Sequence, residues 1–242
     1  LFRRLDYMKY EQNTIRRMRT DDSAVGHMGS LFQVIGIFFI GMMIIAFSTD
    51  PVKLGIDKGE LPPTIQGDAH HYVPGSGGGN WEKNWNLHDH FNMSWDAEEA
   101  DSDKWFVIEF LDTDCPYCWT AGDSQSQISE YWGDKITQIG VVVALNIDGH
   151  SGSRAEIEAF QGKLDFEGCK TTSNCKDRPG EPHNFIYIDD LDASSMGDWN
   201  LRGTPSCFIL QPNGLVYFGP GQGTCDDIPA ALNELFPIGQ GA

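Results

Sequence analysis

Basic residues are scarce in this chain of 242 residues: 17 lysines and arginines stand against 35 aspartates and glutamates, a formal net charge of −18. So acidic a surface argues against a nucleic-acid partner and against docking on an anionic lipid surface. It suits a salty medium, where screening weakens self-repulsion, and equally an ordinary well-solvated exterior. Paired cysteine motifs are scarce too. Of the six cysteines, Cys115 and Cys118 form a Cys-x-x-Cys, whereas Cys169, Cys175, Cys207 and Cys225 form no second one. That lack tells against a structural zinc site, which needs four ligands in matching pairs. Internal repeats are absent. Apolar runs free of charge are also rare, and the one long example is informative.

That run is Leu31-Phe-Gln-Val-Ile-Gly-Ile-Phe-Phe-Ile-Gly-Met-Met-Ile-Ile-Ala-Phe47, which approaches the length needed to cross a bilayer. Arg3, Arg4, Lys9, Arg16, Arg17 and Arg19 precede it, against Asp6, Glu11, Asp21 and Asp22. The positive excess predicts a cytoplasmic N-terminal segment over 1–30 and a transmembrane signal anchor over 31–48, with the remainder outside the cell membrane. Ala46-Phe47-Ser48 matches a signal-peptidase site poorly, so the anchor is expected to stay uncleaved. Residues 49–84, with Pro51, Leu61-Pro-Pro-Thr64 and Ser76-Gly-Gly-Gly79, read as an extracytoplasmic linker. Trp81, Trp85, Leu87, Phe91 and Trp95 suggest a short hairpin packed on the edge of a domain that follows. Six cysteines outside the membrane fit an oxidising or redox-managed compartment.

The chemistry centres on Lys104-Trp-Phe-Val-Ile-Glu-Phe-Leu-Asp-Thr-Asp-Cys-Pro-Tyr-Cys118. Its aromatic and β-branched run predicts a buried strand that delivers Cys115 to the start of a helix. There the unpaired backbone N–H groups and the positive helix end favour a thiolate. Cys118 falls one turn on, on the same face and within disulfide reach. Pro116 suits the first helical turn. The unit reads as a dithiol/disulfide switch; half a metal site or a structural short-range disulfide are the bland alternatives.

From 104 onward strands and helices alternate, which predicts an α/β domain. Strands are expected at 105–111, 139–147 and 185–188, and a hairpin pairs 207–210 with 215–218. Helices are expected at 116–132, at 153–164 with Ser151 or Ser153 as cap, in a short piece before Trp199, and at 228–236. This order, with Cys-Pro-Tyr-Cys and Gly203-Thr-Pro-Ser-Cys-Phe-Ile-Leu-Gln-Pro-Asn-Gly214, resembles the thioredoxin superfamily, and within it the membrane-anchored TlpA/ResA-like branch. The resemblance implies a thioredoxin fold over 85–242, a central mixed β-sheet flanked by helices and preceded by one N-terminal transmembrane helix. It implies a cis Thr204–Pro205 bond against the Cys115 sulfur, so that Thr204, Pro205, Pro116 and Tyr117 would form the substrate-binding shelf. Glu109 stands where thioredoxins carry a buried carboxylate that assists proton transfer to the second cysteine. An outward-facing Glu109 without a role is the bland reading. Cys169–Cys175, inside an apparent insertion at 165–184, is most simply a loop disulfide. In such a fold the hairpin would bring Cys225 back toward Cys207.

The sequence departs from the family in carrying Asp114, not Trp, before the first cysteine; Asp112 and Asp114 are expected to oppose the thiolate. His70, His71, His88 and His90 raise a copper or zinc reading, yet no ligand set is closed, and solvated linker histidines are the expectation. Asn92-Met-Ser94 is a glycosylation sequon. The reading is a membrane-anchored, extracytoplasmic thiol–disulfide oxidoreductase acting on protein thiols and disulfides through Cys115 and Cys118, with Glu109 as base. It would exchange electrons with another membrane or soluble thiol protein and need no cofactor beyond its own cysteine pair. The rivals are a metal-delivery protein of thioredoxin-like fold and a redox-silent interaction module.

Overall fold

The computed structural model describes residues 22–48, 52–98 and 103–238, with side chains described from 31 to 44 in the first stretch. Two units divide the chain, Leu1–Pro51 and Val52–Ala242. In the first, a helix α1 runs Asp22–Ser48, and its described apolar side chains, Phe32, Ile37 and Ile44 among them, are exposed. Among the described residues no helix is long and apolar enough to cross a membrane. Of the anchor expected at 31–48, side chains are described from 31 to 44, and the basic residues from Arg3 to Arg19 lie outside the described residues.

The second unit is built on a seven-stranded sheet. In chain order its strands are β1 Gln66–Val73, β2 Gly78–Asn86, β3 Trp105–Leu111, β4 Ile136–Val142, β7 Ile186–Asp189, β8 Ser206–Leu210 and β9 Val216–Phe218. The spatial order is β2-β1-β7-β4-β3-β8-β9. Strand β3 lies parallel to β4, and β4 to β7. Strands β8, β9, β1 and β2 join antiparallel. Helices α2 Pro116–Trp132, α3 Arg154–Gly162, α4 Ser194–Asp198 and α5 Ile228–Leu235 complete the unit, while β5 Glu167–Cys169 and β6 Ser173–Asn174 form a separate small ladder. This is the mixed sheet with flanking helices that the resemblance implies.

Strand β3 is central because its alternation serves two cores. Phe106, Ile108 and Phe110 pack with Ile139, Val141, Trp199 and Phe208. Val107 on the opposite face packs with Ile128 and Trp132 of α2 and with Ile209 and Leu232. Each such side chain contributes about 1.5–3 kcal/mol on burial, so the strand that leads into Cys115 is held from both sides.

Two expectations are corrected. The segment 49–84 is not a linker: β1 and most of β2 lie in it, and β1 pairs with β7. Alternation in Gln66–Val73 is weak because Gly67, His70 and His71 interrupt the apolar pattern, yet Ala69 and His70 are fully buried. Arg154 fastens this hairpin, bonding Asp68 and Asp189 at 2.7 Å each and lying over the Trp81 ring. The strand expected at 139–147 runs Ile136–Val142 instead, because the backbone from Leu145 onward turns aside to donate to the carboxylates of Asp112 and Asp114. The insertion expected at 165–184 sends Arg178 and His183 into the core. Ser153 caps α3 by accepting from Glu156 N–H.

Candidate active site

Strand β3 ends at Leu111, and an Asp112-Thr113-Asp114 turn leads to Cys115, the N-cap residue of α2, with Pro116 in the first helical turn. Cys115 N–H donates to the Asp112 carbonyl at 3.0 Å, and Trp119 N–H to the Cys115 carbonyl at 3.0 Å. Cys115 and Cys118 are free thiols. Both are buried, at 5% and 2% exposure, so the first cysteine is less open than its place at a helix start suggests. Tyr117 beside it is 77% exposed. The Thr204–Pro205 bond is cis, and the Cys115 Sγ–H donates to the Thr204 carbonyl at 3.4 Å. Thr204 Oγ1 is buried with no partner, which leaves its hydroxyl as a donor for a thiolate at Cys115.

The electrostatics separate the two sulfurs. The Cys118 thiol as donor lowers the Cys115 pKa to about 5 against the opposing cost of burial, with help from the Cys118 N–H, the Thr204 hydroxyl and the Tyr117 N–H. The two backbone N–H groups and the Cys118 thiol belong to the first helical turn, where helix-end donors face the N-cap sulfur, and the Thr204 hydroxyl comes from the segment before β8. Cys118 is driven well above the ordinary thiol range, chiefly by burial and then by its bond to Cys115 and the charge of Glu109. Glu109 points into the core at 3% exposure with Oε1 unpartnered. Burial raises its pKa to about 8, opposed by the Arg178 guanidinium and reinforced by Cys115.

Arg178 is a buried cation held by carbonyls. Its Nε donates to Phe160 O at 2.8 Å, and its guanidinium nitrogens donate to Pro179 O and Glu181 O at 2.8 Å each. His183 meets Arg178 Nη1 at 2.8 Å and the Tyr187 hydroxyl at 2.6 Å. Burial, then Arg178, holds His183 well below the ordinary imidazole range, so it is neutral.

Asp112 and Asp114 are buried but not bare. Asp112 Oδ1 accepts from Asp114 N–H at 2.8 Å; its Oδ2 accepts from Leu145 N–H at 2.9 Å and meets His150 Nδ1 at 2.8 Å. Asp114 accepts from Ser151 N–H at 2.7 Å and from Thr171 N–H. Neither carboxylate stands among the leading influences on Cys115, which departs from the expected opposition. Donors from the 145–151 and 170–171 segments, far off in sequence, stabilise both charges. Thr113 donates to Glu156 Oε1, whose pKa burial lifts to about 7.

Tyr117, Thr120 and Ser124 of α2 line a groove of about 570 Å³ together with Pro205, Cys207 and Cys225. Cys207–Cys225 and Cys169–Cys175 are disulfides. The histidines do not converge. His70 is buried against Gln161 and Trp81, His71 pairs with Glu82, His88 meets Pro62 O at 3.0 Å, and His90 stacks on Trp85. Among the described residues no group of three or more His, Cys, Asp or Glu could hold a metal ion. Thus Cys115, Cys118, Glu109, Thr204, Pro205, Pro116 and Tyr117 surround one locus. Sequence reasoning missed Arg178, His183 and His150, and only the unusual Asp-Thr-Asp before Cys115 hinted that partners were needed.

No protein-family model matches the chain, and no curated protein matches it. Solved structures similar to it include the reduced 2-Cys peroxiredoxin of Plasmodium vivax, at 13% identity and TM-score 0.48, over 74% of this chain and 95% of that one. Another is the thioredoxin domain of a thiol-disulfide oxidoreductase from Bacteroides vulgatus, at 14% identity and TM-score 0.47, over 75% and 99%. A third is a thiol:disulfide interchange protein from Bacteroides sp., at 14% and 0.46, over 76% and 90%.

Proposed function

We propose that this protein is a thiol–disulfide oxidoreductase working through Cys115 and Cys118, anchored by the apolar segment 31–48 with its catalytic unit outside the cell membrane. The observation that carries the reading is the Cys115 sulfur, at the start of α2 and 3.4 Å from the Thr204 carbonyl, with a pKa near 5 beside a second thiol held protonated. Such a pair divides the labour of exchange. The Cys115 thiolate attacks one sulfur of a substrate disulfide, forming a mixed disulfide and expelling the other substrate sulfur as thiolate. Ionised Glu109 takes the Cys118 proton, and the Cys118 sulfur attacks Cys115, releasing the second substrate thiolate and leaving Cys115–Cys118 oxidised. The reverse sequence oxidises a substrate dithiol. Either way the redox couple is the cysteine pair itself. Pro116, Tyr117, Thr204 and Pro205 border the sulfur and form the shelf on which a protein substrate docks. The charge-free run at 31–47 and the basic residues before it support the anchor.

The test is exchange with a model protein disulfide. Cys115→Ser should abolish turnover, and Cys118→Ser should accumulate mixed disulfides; full activity in Cys115→Ser sinks the mechanism. The reduction potential of the pair then assigns direction, near about −270 mV for a reductase and near about −120 mV for an oxidase.

A further inference from the structure

The turn before Cys115 sets a problem that the exchange mechanism does not solve. It buries Asp112 and Asp114 beside a sulfur that must become an anion, and two buried carboxylates there would hold the thiol protonated. For Asp114 the structure supplies backbone donors, Ser151 N–H and Thr171 N–H. Asp112 additionally receives a side chain that can carry a full charge: His150 Nδ1 lies 2.8 Å from Oδ2, with the histidine side chain 11% exposed and the carboxylate 1%. The same Asp112 accepts the Cys115 N–H on its carbonyl and the Asp114 N–H on Oδ1. A single residue therefore couples the histidine to the geometry of the reactive cysteine.

We propose that His150 is a positioning residue for the thiol chemistry: as an imidazolium bonded to Asp112, it cancels the charge leading into the Cys-Pro-Tyr-Cys turn and lets Cys115 hold a thiolate. The proposal rests on the reading of Cys115 as the attacking sulfur. The groups facing His150 are Asp112, Asp114 and Cys115, all of which favour its cationic form, led by the bond to Asp112 and opposed by burial. Near them stand Glu156, which feels Asp114 and Asp112, and Lys170, whose ammonium lies over the Trp119 ring. The sign is consistent. His150 is held protonated to higher pH than a free imidazole, so it is charged throughout the range near pH 5 in which Cys115 ionises.

The test is the pH profile of Cys115 alkylation by iodoacetamide in the full-length reduced chain, with the modified cysteine identified by peptide mapping. Wild type should show an inflection near 5; an inflection at the ordinary thiol value of about 8.5 would instead overturn the underlying reading of Cys115. His150→Gln should move the inflection up by about one pH unit or more. In the Asp112→Asn background the same His150→Gln change should move it little, because the charge to be cancelled is gone. An inflection unmoved by His150→Gln overturns the proposal. So does an equal movement in both backgrounds, which would trace the effect to packing of the 145–151 segment and not to charge.

Discussion

At the scale of the residue, Glu109 is the clearest case of a group defined by its surroundings. A carboxyl with no partner on Oε1 and a pKa near 8 is protonated at neutral pH and becomes a base as pH rises through 8. Resolution of the mixed disulfide should therefore accelerate over that interval. Glu109→Gln should slow it by on the order of 10²-fold and flatten the profile, measured by single-turnover exchange. Stability follows the opposite sense. A carboxyl whose folded pKa exceeds its unfolded value contributes fully below the unfolded pKa, and that contribution is lost as pH climbs through the folded one. Between about 4.5 and about 8, the wild-type denaturation midpoint should fall relative to that of Glu109→Gln. Equal slopes for the two proteins would show that Glu109 is not buried in this way.

At the scale of the element, α2 carries a glycine against propensity. Gly122 costs the helix about 1 kcal/mol relative to alanine, yet a Cβ there would meet Arg178 Nη1 at 2.5 Å and Pro179 O at 3.0 Å. Arg178 is fully buried and fixed by several carbonyls, so it cannot yield. Gly122→Ala should destabilise by about 1–3 kcal/mol despite its better helix propensity, as urea denaturation would reveal; a gain in stability would refute the packing described. The disulfides are elements of a similar kind. Cys207–Cys225 spans 18 residues and ties β8 to the turn before α5, whereas Cys169–Cys175 spans 6. Replacing the cysteines of the first pair by serine should cost about 3 kcal/mol and of the second about 2 kcal/mol, by loop-closure entropy. Exchange at Cys115 should continue in both variants under conditions where they stay folded.

For the whole molecule, the net charge of −18 is the dominant long-range feature. Self-repulsion among like charges opposes compaction and is screened over about 10 Å at 0.1 M salt. The thermal midpoint of the unit Val52–Ala242 should rise when salt is raised from low to physiological strength. A flat response would mean that local pairs such as Arg154 with Asp68 and Asp189 already balance the charge. The proposed anchor makes a separate prediction: the full chain should sediment with membranes and require detergent for release, while a chain beginning at Val52 should not.

The strand–cysteine–helix unit was readable from sequence because its signals are local. Aromatic and β-branched residues from Trp105 to Leu111, a proline at 116 and a three-residue cysteine spacing each act through neighbours in the chain. The same holds for the α/β alternation and for a serine cap at 151 or 153, of which the structure uses Ser153. The hairpin at 66–86 was readable only in part. Trp81 and Trp85 pointed to an edge hairpin, but the expected stretch beyond Asn86 turns into a short helix. Strand β1, whose glycine and histidines read as linker, is placed only by its pairing with β7 and the Arg154 bridge. The environment of the sulfurs was not readable. Arg178 and His183 lie some sixty residues from Cys118 and looked like insertion, and His150 is 38 residues from Asp112. The sequence by itself determined where Cys115 and Cys118 sit, at the start of the helix that follows a buried strand. Only the tertiary structure decided which buried charges are compensated and which are left unpaired. Desolvation and hydrogen bonding depend on what lies within a few ångströms in space, which chain order does not encode.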